Sequence, residues 1–352
     1  MSLVDQAAPV RAGASLDPER LGNYLARHMP GLGLPLRVSQ FPAGFSNLSY
    51  LLSAGGREFV LRRPPPGTRP KTGHDMRREF RVLGDLSAGF PLSPKPLLFC
   101  ADESVIGAQF YVMERIRGII LRRDYPPELE ATPALVRAQQ CALVDGLANL
   151  HRLDYRSLGL ADLGRPEGYA ARQVQGWTTR FAEARTAGAP QSSTLSGWLA
   201  ANTPAESGRA ALIHNDYKLD NVVFDAQRPE RLVGVLDWEM ATIGDPLMDL
   251  GCSMAYWVEA GDGSEMLESR MLPTELPGSL SRAEVLDRYA AASKLAVGDF
   301  RFYRVFGLYR LAVIIQQIYY RYFHDQTNDP RFAALGPMVH VLMRRALAEA
   351  MA

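Results

Sequence analysis

Leu212-Ile213-His214-Asn215-Asp216-Tyr217-Lys218-Leu219-Asp220-Asn221, with the continuation Val222-Val223-Phe224 and, after a polar turn, Leu232-Val233-Gly234-Val235-Leu236-Asp237-Trp238-Glu239, decides how this chain is to be read. The two short apolar runs are separated by Asp225-Ala226-Gln227-Arg228-Pro229-Glu230-Arg231 and predict a β-hairpin. Antiparallel strands bring the chain back to the end it left, so Asn221 and Asp237 are expected side by side. One amide oxygen and one carboxylate suit Mg²⁺, which accepts one or two carboxylates, keeps several waters and takes its other ligands from substrate phosphates. Asn221 and Asp237 are therefore the candidate metal residues, with the metal arriving on a nucleotide.

The order of Asp216, Asn221 and Asp237 resembles the kinase template for phosphoryl transfer: an Asp to orient a hydroxyl, an Asn after four intervening residues, and a second Asp after a hydrophobic strand. Asp216 is the candidate catalytic residue. In a loose transition state little proton removal is needed early, so its task is to aim the acceptor at phosphorus. Lys218 is placed to neutralise charge on the transferring group, or is a solvated lysine. His214 reads as a structural ring that holds the loop through its nitrogens. A plain polar turn competes, because Asp and Asn are common turn formers. The hairpin ending in Asp237 and the β-rich segment upstream weigh against it.

Upstream, Asp17-Pro18 starts a helix carrying Leu21, Tyr24, Leu25 and His28 on one face. Residues 36–41, 49–53 and 59–63 read as a three-strand meander with Gly55-Gly56 at one turn, residues 72–88 as a helix with an arginine-rich exposed side, and 109–113 as a further strand. Beyond it, helices are expected at 132–153, near 166–186, and at 246–259, 282–292 and 302–323. The expected fold class is α+β and bilobal: a small β-rich N-lobe, 1–114, and a larger, mostly helical C-lobe, 115–352, that includes the hairpin.

These paired segments resemble the aminoglycoside phosphotransferase and choline kinase superfamily, whose fold is similar to that of protein kinases. The likeness runs from about Leu36 to Phe323. The Asn215-Asp216 pair, the stretch from Phe59 to Gly67 and the stretch from Ile315 to Arg321 resemble the branch formed by the kinase-like domains of acyl-CoA dehydrogenase family members. The resemblance implies ATP, or GTP, as phosphate donor with Mg²⁺. It implies a phosphate-covering loop at Ala43 to Tyr50, where Phe45, Ser46 and Asn47 would meet the nucleotide, although the protein-kinase glycine pattern is missing and a plain hairpin turn is the alternative. A phosphate-binding cation is implied on the third strand, where Arg62 or Arg63 replaces lysine. Alternation turns only one of them toward the nucleotide, and Arg62 is favoured. Glu79 would pair with that cation, or be one solvated carboxylate among Arg77, Arg78 and Arg81. Met113, Glu114 and Ile116 would line the adenine slot. Gly244 to Leu250 also matches the family pattern, with Asp245 as a helix cap ahead of Pro246 and with Asp249 able to orient the catalytic loop.

Acceptor specificity is expected near Glu239, Tyr256 and Trp257 and on the helix holding Arg304, Arg310, Gln317, Tyr320 and Arg321. Arginines facing the acceptor favour an anion; otherwise they extend outward from the core. The branch implies a hydroxyacyl-CoA or a related hydroxy acid. An aminoglycoside, choline or sugar acceptor is the rival, and a nucleotide-binding pseudokinase module is the rival outside enzymology.

Composition bounds the partners. At 352 residues the chain is long enough for two cores, and its net charge of +1 gives no global attraction to nucleic acid or to an anionic membrane. Three widely spaced cysteines, Cys100, Cys141 and Cys252, form no metal-ligand motif and fit a reducing compartment. The first residues show no leader pattern and no run is long enough to span a membrane, so a cytoplasmic location is expected.

Overall fold

The computed structural model describes residues 3–11, 13–42, 47–65, 75–205, 209–327 and 329–352. The chain packs into two compact units, one built from Met1–Ile120, Ser157–Leu160 and Asn221–Ala241, the other from Leu121–Arg156, Ala161–Asp220 and Thr242–Ala352.

In the first unit, α1 (Pro18–His28) starts where Asp17 accepts hydrogen bonds from the Glu19 and Arg20 amides, and buries Leu21 and Leu25. The strands β1 (Arg37–Gln40), β2 (Leu48–Ala54) and β3 (Arg57–Arg63) form the expected antiparallel meander. Gly55 and Gly56, with φ of 55° and 76°, make the two-residue turn joining β2 to β3, a turn that needs positive φ at both positions. Next come α2 (Met76–Leu86), β4 (Pro96–Cys100) and β5 (Phe110–Glu114), and the sheet runs β1-β2-β3-β5-β4. β4 is an addition to the sequence expectation. Its opening proline and register shift belong to a sheet edge, where a missing N–H is tolerated and the strand signal is weak. One face of the sheet buries Tyr50, Leu52, Phe59, Leu61, Phe110 and Val112 against α1.

The hairpin β7 (Val222–Phe224) and β8 (Leu232–Val235) forms with Val222 opposite Val235. Assigned above to the helical part, it belongs instead with the sheet. Ile119 bridges Phe224 through hydrogen bonds of 2.8 Å in both directions, and the Val235 amide donates to the Leu92 carbonyl at 2.7 Å. Each hairpin edge thus finds a partner in the first unit, which no local pattern announces.

The second unit is helical, with α3 (Pro133–His151), α4 (Tyr169–Glu183), α5 (Ser193–Ala201), α6 (Pro246–Met254), α7 (Ser264–Glu268), α8 (Arg282–Ser293), α9 (Arg301–Phe323) and α10 (Leu335–Met351). The short strands β6 (Ala211–Ile213) and β9 (Thr242–Gly244) pair within it. α5, α7 and α10 add to the helices expected, and α6 stops five residues short of Glu259. Among the described residues no helix is long and apolar enough to cross a membrane.

α6 and α9 meet backbone to backbone at Gly251 and Gly307. A Cβ on Gly307 would lie 2.0 Å from the Gly251 carbonyl oxygen, and one on Gly251 would lie 2.3 Å from that of Tyr303. Gly307→Ala should therefore force the helices apart and destabilise the protein by about 3 kcal/mol, the upper end of overpacking costs, as read by urea unfolding. An unchanged midpoint would mean that the helices are free to separate.

Candidate active site

The first unit assembles a charged cluster around Arg62. Strand alternation sends Arg62 and Arg63 to opposite faces of β3. Arg63 donates to the Ile106 carbonyl at 2.8 Å, whereas Arg62 lies 3.3 Å from Glu79, 2.8 Å from Asp237 and 3.2 Å from Glu239. Burial alone would lower the Arg62 pKa, but Glu79 and Asp237 hold it well above the ordinary guanidinium value. Glu79 is buried on α2, not solvated; burial raises its pKa and Arg62 opposes the rise. Glu239, expected near the acceptor, accepts from Arg62 and from the Asn47 side chain. Arg78, read as an exposed arginine, donates to the carbonyls of Glu239 and Ala241 at 3.1 and 2.5 Å. The turn after Asp237 is thus held both from β3 and from α2.

Asp237 has φ 68° and ψ 63°, a left-handed conformation that costs energy in a residue with a side chain and persists only when its surroundings impose it. Those surroundings include Trp238, buried edge-on against Phe90 and donating to the Val235 carbonyl at 2.8 Å. At the other strand, the Leu236 amide donates to the Asn221 carbonyl at 2.8 Å. The hairpin therefore brings Asn221 and the Leu236-Asp237 step to the same end. Among the described residues no group of three or more His, Cys, Asp or Glu is arranged to hold a metal. The donors at the hairpin end are one amide and one carboxylate that is 29% exposed, beside an excess of carboxylates over Arg62. That set fits a Mg²⁺ whose remaining ligands are water and phosphate.

Phe45 and Ser46 lie outside the described residues. Met113 is buried in β5 opposite Val60, and Glu114, opposite Phe59, is exposed. The Ile116 side chain packs on Gly234, where a Cβ would meet it at 2.7 Å.

The second unit builds the loop that follows β6. Asp249, on the first turn of α6 and 0% exposed, accepts from the His214 amide at 2.7 Å and from the Asn215 amide at 2.8 Å. His151, at the end of α3, meets Asp249 through Nε2 at 3.1 Å and Tyr289 through Nδ1 at 2.7 Å. Burial pushes the Asp249 carboxyl up, but the hydrogen bond and charge of His151 together with the His214 contacts outweigh it, and its pKa is lowered. Asp245 caps α6 by accepting from the Leu247 amide at 2.8 Å. His214 takes the structural place expected of it, its Nδ1 accepting from the Asp216 amide at 3.2 Å.

Asp216 is held by Lys218, whose Nζ lies 2.9 and 2.8 Å from its two carboxylate oxygens. Lys218 is not simply solvated. It lies 3.8 Å from Asp220 and 5.1 Å over the Tyr256 ring, and although burial favours its neutral form, Tyr256 and Asp216 keep its pKa well above the ordinary value. Tyr256 itself is pushed up to about 12 by burial, against the pull of Lys218.

The remaining acceptor candidates are mostly built into the packing. Trp257 donates from its indole to the Leu280 carbonyl at 2.8 Å, and Arg304 is paired with Glu349. Arg310 is buried and donates to the Asn215 carbonyl at 2.7 Å, Gln317 is half-buried and Arg321 exposed. Of these α9 arginines, one is neutralised by a carboxylate and another supports the loop. His151 and Tyr169 were not legible as part of this loop, since each reaches it from tens of residues away.

With this geometry in place, the class is defined. Residues 37–304 match the phosphotransferase enzyme family, and the chain belongs to that family. It is 38% identical over 319 residues to acyl-CoA dehydrogenase family member 11 of Rattus norvegicus, covering 87% of this chain and 40% of that protein. The chain thus spans about two fifths of the length of that relative. It is 27% identical over 232 residues to a thiamine kinase of Escherichia coli, covering 65% of this chain and 69% of the kinase. A solved structure of a candidate aminoglycoside phosphotransferase from Ralstonia eutropha superposes with a TM-score of 0.79 at 30% identity, covering 96% of this chain and 99% of that one. A choline kinase from Cryptosporidium parvum, with a TM-score of 0.63 and 10% identity, covers 95% of each chain and shares the fold, which is kinase-like and α+β.

Proposed function

We propose that this chain is a Mg²⁺-dependent kinase that moves the γ-phosphate of ATP, or of GTP, to a hydroxyl of a small metabolite, with a hydroxyacyl-CoA or related hydroxy acid as the acceptor class. The observation that carries the reading is Asp216, fixed through both oxygens by Lys218 and through its amide by His214, in a chain that also holds Arg62, Glu79 and Asp237 as one cluster.

Asp216 would accept the hydroxyl hydrogen bond and aim the oxygen, taking its proton late. Lys218 would offset charge on the phosphoryl oxygens. Arg62, tethered by Glu79 and Glu239, would clamp phosphate oxygens, with Asn47 held on the same Glu239 carboxylate. Met113, Glu114 and Ile116 would border the base. Asn221 and Asp237 would hold Mg²⁺, which when bound supplies charge neutralisation to the phosphates.

For the acceptor, the compensated charge on Asp216 argues against a polycation, which needs carboxylates without a partner of their own. The similarity to a protein named as an acyl-CoA dehydrogenase family member supports an acyl-CoA. The test is product mass spectrometry on purified protein with Mg-ATP or Mg-GTP and a panel of hydroxyacyl-CoAs, hydroxy acids, aminoglycosides, choline, thiamine and sugars, with Asp237→Asn as control. Phosphorylated hydroxyacyl-CoA or hydroxy acid is expected. Turnover of an aminoglycoside, choline or thiamine alone would reassign the acceptor, and nucleotide binding without transfer to any of them would favour a binding module.

A further inference from the structure

Arg310 lies six residues past the end of the family match, on α9, and is 3% exposed. Burying a guanidinium is costly unless its surroundings compensate it. Here it lies 5.0 Å over the Trp177 ring and donates to the Asn215 carbonyl at 2.7 Å. Asn215 has φ 64°, so its backbone too is in the sparsely populated left-handed region. Three groups of that residue are held: its amide by Asp249 at 2.8 Å, its side-chain oxygen by the Tyr169 hydroxyl at 3.1 Å, and its carbonyl by Arg310.

That carbonyl belongs to the same peptide plane as the Asp216 amide, which donates to His214 Nδ1 at 3.2 Å. The plane is pinned at both ends, by Arg310 on its oxygen and by His214 on its nitrogen. A peptide plane is rigid, so rotating it re-aims the side chain that follows. Releasing the oxygen lets the plane turn about the His214 contact and carries the Asp216 carboxylate with it.

We propose that Arg310 is a positioning residue: it holds the Asn215-Asp216 peptide plane and through it the direction of the Asp216 carboxylate. Its catalytic consequence rests on the phosphotransferase reading above, whereas the peptide-plane role does not.

The test uses Arg310→Gln and Arg310→Lys in the full chain, with two readouts. Hydrogen exchange of the backbone amides at 214–219 is expected to rise about tenfold or more in Arg310→Gln while amides of α3 and α8 keep their wild-type protection. Transfer should lose about tenfold to a hundredfold in kcat with KM for nucleotide and acceptor nearly unchanged, as expected when a catalytic group is misaimed. Arg310→Lys, which keeps a donor and a cation over Trp177, should recover part of both. A selective rise in acceptor KM with unchanged exchange would overturn the proposal and make Arg310 an acceptor contact. Exchange rising equally throughout the helical unit, with kcat per folded molecule unchanged, would overturn it as well and leave Arg310 a packing residue. Should the wild type transfer phosphate to nothing, the phosphotransferase reading fails, and the exchange pattern still decides the role of Arg310.

Discussion

Asp216→Ala should lower phosphate transfer by about 10³-fold while nucleotide binding stays within about twofold of wild type. Both oxygens of this carboxylate are bound by Lys218, so alanine removes the group that would orient the hydroxyl and also releases the lysine. The backbone should survive, because Asp216 contributes only its amide to the His214 contact and alanine keeps that amide. Asp216→Asn separates the effects. It has nearly the same volume but accepts no proton and is a poorer partner for the Lys218 ammonium, so it should be about as inactive. Initial rates with a saturating acceptor, together with calorimetric binding of Mg-nucleotide, make the comparison. More than about a tenth of wild-type kcat in either variant would remove Asp216 from the catalytic role.

Asp249→Ala is expected to be the most destabilising single change in the loop's support. The carboxylate accepts from two backbone amides and meets His151, and its side chain is wholly buried. Alanine leaves those donors facing a dry cavity, where each unpaired buried polar group costs about 1–3 kcal/mol. A loss of about 3–5 kcal/mol in urea unfolding should follow from the several donors released together, with transfer lost because the Asn215 conformation loses its amide anchor. The pH dependence has a definite sign. The folded Asp249 pKa lies below its unfolded value, so this stabilisation is complete above the unfolded value of about 3.9 and disappears as the pH falls through the lower, folded value. Wild type should keep the contribution at neutral pH and lose it only under strong acid, while Asp249→Asn should lack that acid limb. Equal acid sensitivity in the two proteins would show that Asp249 is not the group responsible.

Much of the fold and of the candidate site was legible because it is local in sequence. The two β runs and the turn they flank predict a hairpin without any knowledge of the rest, and antiparallel pairing alone places Asn221 beside the Leu236-Asp237 step. Alternation along β3 separated Arg62 from Arg63, and Asp245 before Pro246 announced the α6 cap. What escaped depends on distance along the chain. Pro96 masked β4, and the ties of the hairpin to Ile119 and Leu92 have no signature near residue 222. The arginines of α9 show the same limit: composition counts charges but not the side on which each is spent. Arg304 meets Glu349 and Arg310 meets the Asn215 carbonyl, whereas Arg321 is exposed.

The sequence by itself determined the order of the chemical groups and the hairpin that collects two of them, because strand pairing and helix capping act over a few residues. Tertiary structure decided their direction. Asn215 and Asp237 both occupy the left-handed region, which neither residue would keep in an isolated peptide, and their neighbours come from residues remote in the chain. His151, Tyr169, Asp249 and Arg310 fix the loop carrying Asp216, while Arg62 and Arg78 hold Asp237 and the turn after it. Interactions between groups so far apart in sequence exist only after the chain has closed over them, which is why the aim of the carboxylates belongs to the folded molecule and their identity to the sequence.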